Sequence, residues 1–247
     1  QAAILDDLVL VPINNGGIHA YDASSGDLLW KSQTKYPVMS KPLIHKNNVI
    51  YGDFNGNLYC FSGITSEKLW EKNFDAPIVS KQVLVNDETV LATLINGNLI
   101  YINPNNGEIN KIFKTGMTLT SHPVVSGDVA VISTHDGFLR AISPNEGYSK
   151  YQVVTRVSLD ENGNEYDVKD AIYLPPIIVD NKIFYASETG EIFSINKNID
   201  TQPGQAKIKR DGILSNFELT TRTKKNSYYY IEKSSDLRNW KIIEEIL

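Results

Sequence analysis

The fold is decided by a short stretch near the start of the chain, residues 14–30, which reads NNGGIHAYDASSGDLLW. Two turn signals, Asn-Gly and Ser-Gly, separate runs of strand-type residues, and both pairs supply the positive φ that tight turns between antiparallel strands require. Another apolar run, at residues 8–11, precedes the stretch. We therefore predict three antiparallel strands joined by two tight turns.

The same arrangement recurs along the chain. Five glycines are each followed two residues later by an apolar residue, at intervals of 40, 41, 40 and 53 residues: Gly16, Gly56, Gly97, Gly137 and Gly190. A further short apolar strand follows a junction element such as Ser40-Lys41-Pro42. Four strands in a period of about 40 residues are typical of one β-propeller blade. The predicted fold is all-β, a propeller of five or six four-stranded antiparallel blades with a C-terminal β-hairpin.

The limits of the units follow from this period. The last part of the chain, residues 201–247, does not match the repeat, and we expect a polar linker and a β-hairpin there, with a further blade as the alternative. An incomplete ring would expose a sheet edge and an apolar blade face. Whether the ring closes, and whether the chain is a piece of a longer protein, both stay open. The predicted units lie near residues 1–40, 41–80, 81–121, 122–154 and 173–197, with an insertion at 155–172.

The spelling of residues 20–30, A-x-D-x-x-S-G-x-x-x-W, closely resembles the repeat of the PQQ-like, quinoprotein-type β-propellers, A-x-D-x-x-T-G-x-x-x-W. In that family the Trp packs between neighbouring blades and the Gly makes the turn before the last strand. The resemblance covers roughly residues 1–197 and is closest to the non-enzymatic, BamB-type outer-membrane assembly lipoproteins. It implies blade-docking roles at five positions: Gly26, Trp30, Trp70, Gly107 and Gly147.

Bulk properties exclude some functions. The formal net charge of -5 argues against a nucleic-acid-binding surface. The sequence contains no apolar run of 18 or more residues of the kind that spans a membrane. The resemblance implies a periplasmic or extracellular location, and a cytoplasmic location stays open. Whether a signal peptide or lipid anchor precedes Gln1 also stays open.

The insertion offers the one metal-site candidate. The side-chain oxygens of Asp160, Asn162 and Asn164 have the alternate spacing of a calcium loop. However, the glycine stands at the fourth place of the loop, and the twelfth residue, where a Glu belongs, is Ala171. We therefore favour a hairpin that turns at Asn162-Gly163. As a protruding insertion, it is also a candidate for a partner contact.

Catalytic motifs are not found. The four histidines occupy different positions of the repeat without metal-ligand spacing, and no nucleophile elbow, phosphate loop or paired cysteines occur. The PQQ dehydrogenases that share the repeat are known for a pair of adjacent cysteines, whereas this chain has only Cys60. We expect Cys60 to be buried and inert. The prediction is that the protein is not an enzyme and has no cofactor.

Exposed aromatic residues are the candidate partner contact. Tyr228, Tyr229, Tyr230 and Trp240 lie outside the repeat, and aromatic residues are enriched at protein interfaces. The alternative is that they pack the terminal hairpin onto the propeller. The predicted function is a non-catalytic scaffold for protein–protein interaction, with envelope or outer-membrane assembly as the implied process. Two alternatives stay open: an enzyme or ligand-binding domain that uses the central funnel for a quinone, sugar or metal, and a module of a larger surface or adhesion protein.

Overall fold

A computed structural model of the protein shows strands and turns, and no helix occurs among the residues that it describes. The chain divides into two compact units, Gln1–His122 and Pro123–Leu247, which are taken here one at a time. The described residues are 1–119, 121–127, 129–143, 147–152, 156–159, 161–168, 171–180, 182–188, 192–196, 206–211, 216–220, 229–234 and 241–246.

The first unit consists of three four-stranded antiparallel sheets, each with its strands in chain order. These sheets confirm the predicted four-stranded units, including the strands expected on either side of the turn at Gly16. The first sheet comprises β1 (Ala3–Leu5), β2 (Leu8–Pro12), β3 (Ile18–Asp22) and β4 (Leu28–Ser32). The second comprises β5 (Leu43–His45), β6 (Asn48–Gly52), β7 (Asn57–Ser62) and β8 (Lys68–Asn73). The third comprises β9 (Val83–Asn86), β10 (Thr89–Thr93), β11 (Asn98–Ile102) and β12 (Ile109–Lys114).

The turn between the third and fourth strands is built in the same way in all three sheets. In the first sheet, Asp22 Oδ1 accepts the backbone N–H groups of Ser24 and Ser25 at 2.8 Å, and Gly26 donates its N–H to the Asp22 carbonyl at 2.9 Å. Such local side-chain caps favour turns over extended strand. The residue that closes each turn has a positive φ: Gly26 at 77°, Ser66 at 58° and Gly107 at 71°.

The core of the first unit lies between neighbouring sheets. Because side chains alternate across a strand, one set faces the preceding sheet and the other faces the following sheet. The first and second sheets bury a cluster that includes Leu10, Ile18, Ala20, Val49, Tyr51 and Phe61. The second and third sheets bury a cluster that includes Ile50, Leu58, Cys60, Trp70, Val90 and Ile100. Each fully buried aliphatic side chain contributes about 1.5–3 kcal/mol to stability.

The second unit begins with two sheets that continue the repeat. The fourth sheet contains β13 (Val124–Ser126), β14 (Val129–Thr134), β15 (Phe138–Ser143) and β16 (Gly147–Gln152). The insertion forms a separate hairpin, β17 (Arg156–Leu159) and β18 (Glu165–Val168), in agreement with the favoured hairpin interpretation. The fifth sheet contains β19 (Ile177–Val179), β20 (Lys182–Ala186) and β21 (Ile192–Asn196).

The end of the chain adds strands to both of these sheets. The hairpin of β22 (Ala206–Asp211) and β23 (Asn216–Thr220) extends the fourth sheet, with β22 parallel to β16. The hairpin of β24 (Tyr229–Ser234) and β25 (Lys241–Ile246) extends the fifth sheet, with β24 antiparallel to β21.

These terminal strands differ in part from the expectation. The segment expected to be a linker contains β22, because the alternating residues 206–211 find strand partners on both sides. Strand β24 takes the fourth place in the fifth sheet, where the sequence lacks the turn motif that brings a fourth strand in directly. A sheet edge left unpaired accepts such a distant strand because its backbone N–H and C=O groups need partners.

Candidate functional site

The docking tryptophans connect successive sheets of the first unit. Trp70, on β8 of the second sheet, is buried, and its Nε1–H donates a hydrogen bond of 2.9 Å to the Pro104 carbonyl in the turn of the third sheet. Gly107 of the same turn lies against the indole, so that a Cβ at this position would come within 2.9 Å of Trp70 Cδ2. Trp70 and Gly107, both predicted from the repeat to connect blades, are therefore in contact.

Trp30 makes the equivalent contact one sheet earlier. Its Nε1–H donates a hydrogen bond of 3.1 Å to the Gly63 carbonyl in the turn of the second sheet. The indole is half-buried and packs against the cluster between the first two sheets. Gly26, in contrast, has no heavy atom near its Cβ direction, so that its positive φ is its main constraint. Trp30 and Trp70 therefore act as structural contacts between sheets in this unit.

Gly147 occupies a different place from Gly26 and Gly107. It is the first residue of β16 and pairs with Ser143, whereas the other two glycines lie in the turn before the fourth strand. The spacing from Gly137 is the same as in the other units, but in the fourth sheet the fourth strand already begins at this glycine. The motif glycine of the fourth unit is therefore a strand residue.

Several predicted site residues lie outside the described residues. This is so for Asp160 of the calcium-loop candidate and for Tyr228 and Trp240 of the aromatic candidate. Asn162 and Asn164 are exposed in the turn of the insertion hairpin. Tyr229 and Tyr230 belong to β24, for which the backbone alone is described. Among the described residues, no group of three or more His, Cys, Asp or Glu side chains is arranged to hold a metal ion.

The histidines and the cysteine occupy separate places. His19 lies on β3 with its Nδ1 3.2 Å from the Tyr21 hydroxyl, and His45 is buried on β5. Desolvation, together with the nearby charge of Lys81, lowers the pKa of His122. Cys60 is fully buried in the second sheet, and burial raises the pKa of its thiol to about 12.

Two buried polar networks support hairpin turns. Asp53 is fully buried and accepts hydrogen bonds from Asn57 Nδ2 at 2.8 Å and from the Tyr59 hydroxyl at 2.9 Å. Desolvation, followed by this bond to Asp53, raises the pKa of Tyr59. In the fourth sheet, buried Arg140 forms a bidentate pair with Asp136, with N–O distances of 2.7 and 2.9 Å. Because the Asp53 carboxylate is satisfied by hydrogen bonds and the Asp136 carboxylate is paired with Arg140, both groups stabilise turns.

The best-defined contact surface lies on the fifth sheet. Four large apolar side chains are half or more exposed in the segment that leads into and forms β19: Tyr173 (52%), Leu174 (63%), Ile177 (62%) and Val179 (50%). We call this set the fifth-sheet apolar surface. A cavity of about 370 Å³ opens beside it, lined by three of these residues together with Pro175, Phe184 and Ile192. Contiguous exposed apolar groups of this kind mark interaction sites.

The backbone that carries this surface is held from three sides. Ser133 Oγ of the fourth sheet donates a 2.7 Å hydrogen bond to the Leu174 carbonyl, and Glu188 donates its backbone N–H to the Ala171 carbonyl at 3.0 Å. Ile172 is fully buried, and the Tyr173 ring meets His135 edge to face at 4.7 Å between centroids. The exposed residues therefore project from a fixed segment.

The fifth-sheet apolar surface was not among the predicted sites, although the sequence carries a signal for it. The junction elements of the earlier units read Ser-Lys-Pro, Ser-Lys-Gln and Ser-His-Pro, whereas the fifth reads Leu174-Pro175-Pro176. The serines at the first place of these elements are buried, but Leu174 is exposed. The sequence signal is therefore Leu174, an exposed apolar residue at the place where the other units have a buried serine.

Comparisons with known proteins agree with this architecture. The crystal structure of BamB from Moraxella catarrhalis matches with a TM-score of 0.63 and 16% sequence identity, over 100% of this chain and 87% of that chain. The crystal structure of the computationally designed Ika8 protein matches with a TM-score of 0.61 and 10% identity, over 99% of this chain and 73% of that chain. No curated protein sequence matches significantly.

The four-stranded sheets, the docking tryptophans and these structural matches define a β-propeller built from PQQ-like repeats. A family model described as outer membrane protein assembly factor BamB matches residues 14–242. The chain therefore belongs to this BamB family, which confirms the resemblance inferred from residues 20–30. Among the described residues, no helix has the length and apolar character needed to cross a membrane.

Proposed function

We propose that the protein is a non-catalytic propeller scaffold that binds protein partners during outer-membrane protein assembly, on the periplasmic side of the envelope. Membership of the BamB family supports the process and the location. The observation that carries a binding role is the fifth-sheet apolar surface, where four large side chains project from an anchored segment. The proposal assigns this surface to a protein partner that covers it with apolar side chains of its own.

The energetics favour such a partner. Covering a fully exposed large apolar side chain contributes about 1.5–3 kcal/mol. Because these four side chains are 50–63% exposed, covering each contributes about half of that, and together they can supply a large part of a moderate affinity. A partner gains this energy at low entropic cost when the segment that it binds is already ordered. The hydrogen bond from Ser133 and the buried Ile172 provide that order here.

The predicted aromatic contact belongs to the same proposal. Strand β24, which includes Tyr229 and Tyr230, joins the fifth sheet through β21, and β25 follows it. Tyr229, Tyr230 and the fifth-sheet apolar surface therefore belong to one sheet. We propose that they form two parts of one partner-binding region.

The test uses matched substitutions of exposed apolar residues. Leu174→Ser and Ile177→Thr alter the fifth-sheet apolar surface, whereas Ile64→Thr alters an isoleucine of similar exposure in a turn of the first unit. Each tagged variant is expressed in the native host, crosslinked in the envelope and purified, and the co-purified proteins are quantified by mass spectrometry. Loss of outer-membrane assembly components with the first two variants, but not with Ile64→Thr, is the expected result.

Two results would overturn the proposal. Equal recovery of assembly components with all three variants would remove the fifth-sheet apolar surface from partner binding. A rise in melting temperature on addition of PQQ and calcium, with turnover of an alcohol or sugar substrate, would instead make the protein a quinoprotein enzyme. Thermal denaturation of each variant alone serves as the folding control, because exposed substitutions change stability by only about 0.5 kcal/mol.

A further inference from the structure

A pocket of about 430 Å³ lies at one end of the first sheet, on the face turned away from the second sheet. Its walls are the turn between β2 and β3 and the segment that follows β4. His19, Lys31 and Lys35 line it, together with the polar residues Gln33 and Thr34. We call it the first-sheet pocket.

Strand register explains why His19 and Lys31 point the same way. Ile18 and Ala20 of β3 are fully buried towards the second sheet, so His19 between them faces the other side. His19 pairs directly with Lys31 of β4, and directly opposed residues lie close together on one face. The His19 Nδ1 contact with Tyr21 leaves Nε2 as the ring nitrogen available to a ligand.

The backbone around the first-sheet pocket is closely packed. A Cβ at Gly16 would meet the Thr34 carbonyl oxygen at 2.0 Å, and a Cβ at Gly17 would meet the Ser32 carbonyl oxygen at 2.0 Å. Ser32 also accepts the Ile18 N–H at 3.0 Å through its hydroxyl. The turn and the following segment are therefore fixed against each other, and the pocket exists without a ligand to shape it.

The second sheet supplies an internal comparison. At the places of Ile13, Gly17 and His19 it has Asp53, Asn57 and Tyr59, which bond to one another and fill the corresponding space. At the places of Lys31 and Lys35 it has the acidic residues Glu71 and Asp75. The first sheet therefore lacks the hydrogen-bonded network that fills this space in the second sheet, and it has two lysines where the second sheet has two acidic residues.

The positive charge of the first-sheet pocket is not balanced by any carboxylate that the structure describes. None of the described residues that line it is acidic, and neither Lys31 nor Lys35 forms an ion pair with a described carboxylate. Lysine carries a compact charge with three N–H donors and is a common ligand of phosphate groups in proteins. The side-chain amide of Gln33 is a suitable further donor, whereas the Thr34 hydroxyl donates to the Tyr36 carbonyl at 3.5 Å.

We propose that the first-sheet pocket binds the phosphate group of a phosphate monoester, either a small soluble ester or a phospholipid headgroup. Its volume exceeds that of a free phosphate ion and leaves room for the esterified group. This inference does not depend on the partner-binding function, because the pocket lies in the first unit and the fifth-sheet apolar surface lies in the second.

The test measures binding by isothermal titration at low salt in a buffer without phosphate. The probes are inorganic phosphate, glycerol 3-phosphate, and phosphatidylcholine vesicles with or without phosphatidic acid. The double variant Lys31→Gln/Lys35→Gln should weaken binding by about 10- to 30-fold, because each lysine contributes a charge–charge term of about 1 kcal/mol at contact in water. Lys31→Glu/Lys35→Asp, which copies the charges of the second sheet, should abolish binding.

The control is Lys46→Gln/Lys72→Gln, which makes the same change in net charge with two lysines that do not line the first-sheet pocket. Binding of glycerol 3-phosphate without vesicle binding would assign a soluble ester, and selective binding of phosphatidic acid vesicles would assign a headgroup. No binding of any probe overturns the proposal. So does a loss of affinity in the control equal to that in the pocket variant, since it would show only general attraction of anions.

Discussion

Replacing Gly107 by Ala tests whether the tryptophan contact between sheets is tight. Gly107 and Gly26 close equivalent turns with nearly the same φ, 71° and 77°. A methyl group at Gly107 would lie 2.9 Å from Trp70 Cδ2, whereas one at Gly26 would meet no heavy atom within 4 Å. The two substitutions therefore share the same backbone strain and differ in the contact with the indole.

The magnitudes follow from these two terms. A non-glycine residue in the left-handed region costs about 1–2 kcal/mol, and the alanine recovers about 0.4–1 kcal/mol through the unfolded chain. Gly26→Ala should therefore lower the free energy of unfolding by about 0.5–1 kcal/mol. Gly107→Ala should cost a further 1–3 kcal/mol or so, because Trp70 is buried, is held by the Pro104 carbonyl and cannot move away freely.

Urea denaturation of the full chain, followed by far-UV circular dichroism, measures both changes. Both glycines lie in the first unit, so the same unfolding transition reports them. A second measurement introduces Gly107→Ala into a Trp70→Leu background. Because leucine is smaller than the indole, Gly107→Ala should then lower the free energy of unfolding by little more than Gly26→Ala does. Equal destabilisation by Gly26→Ala and Gly107→Ala, within about 0.5 kcal/mol, would refute the docking of Trp70 on this turn.

Three further predictions concern single side chains. Burial opposes ionisation of Asp136, but hydrogen bonds from Arg140 and Thr134 outweigh burial and lower the pKa of Asp136 in the folded protein. The ionised Asp136 therefore contributes its full stabilisation above the pKa of the unfolded chain, near 3.9, and this contribution is lost as the pH falls through the lower pKa of the folded protein. Asp136→Asn should therefore flatten the loss of stability below about pH 4, which urea midpoints between pH 3 and 7 will show; an unchanged acid profile would contradict it. Ser66→Gly should raise the free energy of unfolding by about 0.5–1 kcal/mol, because Ser66 has a φ of 58°, and a lower urea midpoint would count against this. Cys60 should react with a thiol reagent only after denaturation, because its thiol is fully buried with a pKa of about 12, and rapid labelling of the native protein would contradict that burial.

The local features of the fold could be predicted from the sequence because they depend on few neighbouring residues. Positive φ at Gly26 and Gly107 is required by turns that close within five residues. Trp30 and Trp70 each stand four residues after the residue that closes the turn of their own sheet, Gly26 and Ser66, so the residues that connect sheets could be named in advance. That these tryptophans pack between neighbouring sheets followed from the family resemblance, because their spacing alone does not indicate what they contact.

The remaining features depend on pairing between distant residues. Nothing local indicates that β24 would complete the fifth sheet, since more than 30 residues separate it from β21. The parallel pairing of β22 with β16 is likewise a long-range contact. The first-sheet pocket was missed for another reason: His19 and Lys31 meet only through the register of two strands, and the space beside them results from side chains that the second sheet has and the first lacks.

The junction between sheets shows how this fold separates stability from binding. The residue two positions before each junction element is buried in every unit in which the element occurs: Val38, Ile78, Leu119 and Ile172. The next position is free to differ, and there Met39 and Tyr173 are both more than half exposed. A buried anchor therefore fixes the backbone while its neighbour can change without loss of core packing. Because the exposed residue on the fifth sheet is followed by a second one, Leu174, a partner can be recognised there while Ile172 still holds the segment in place.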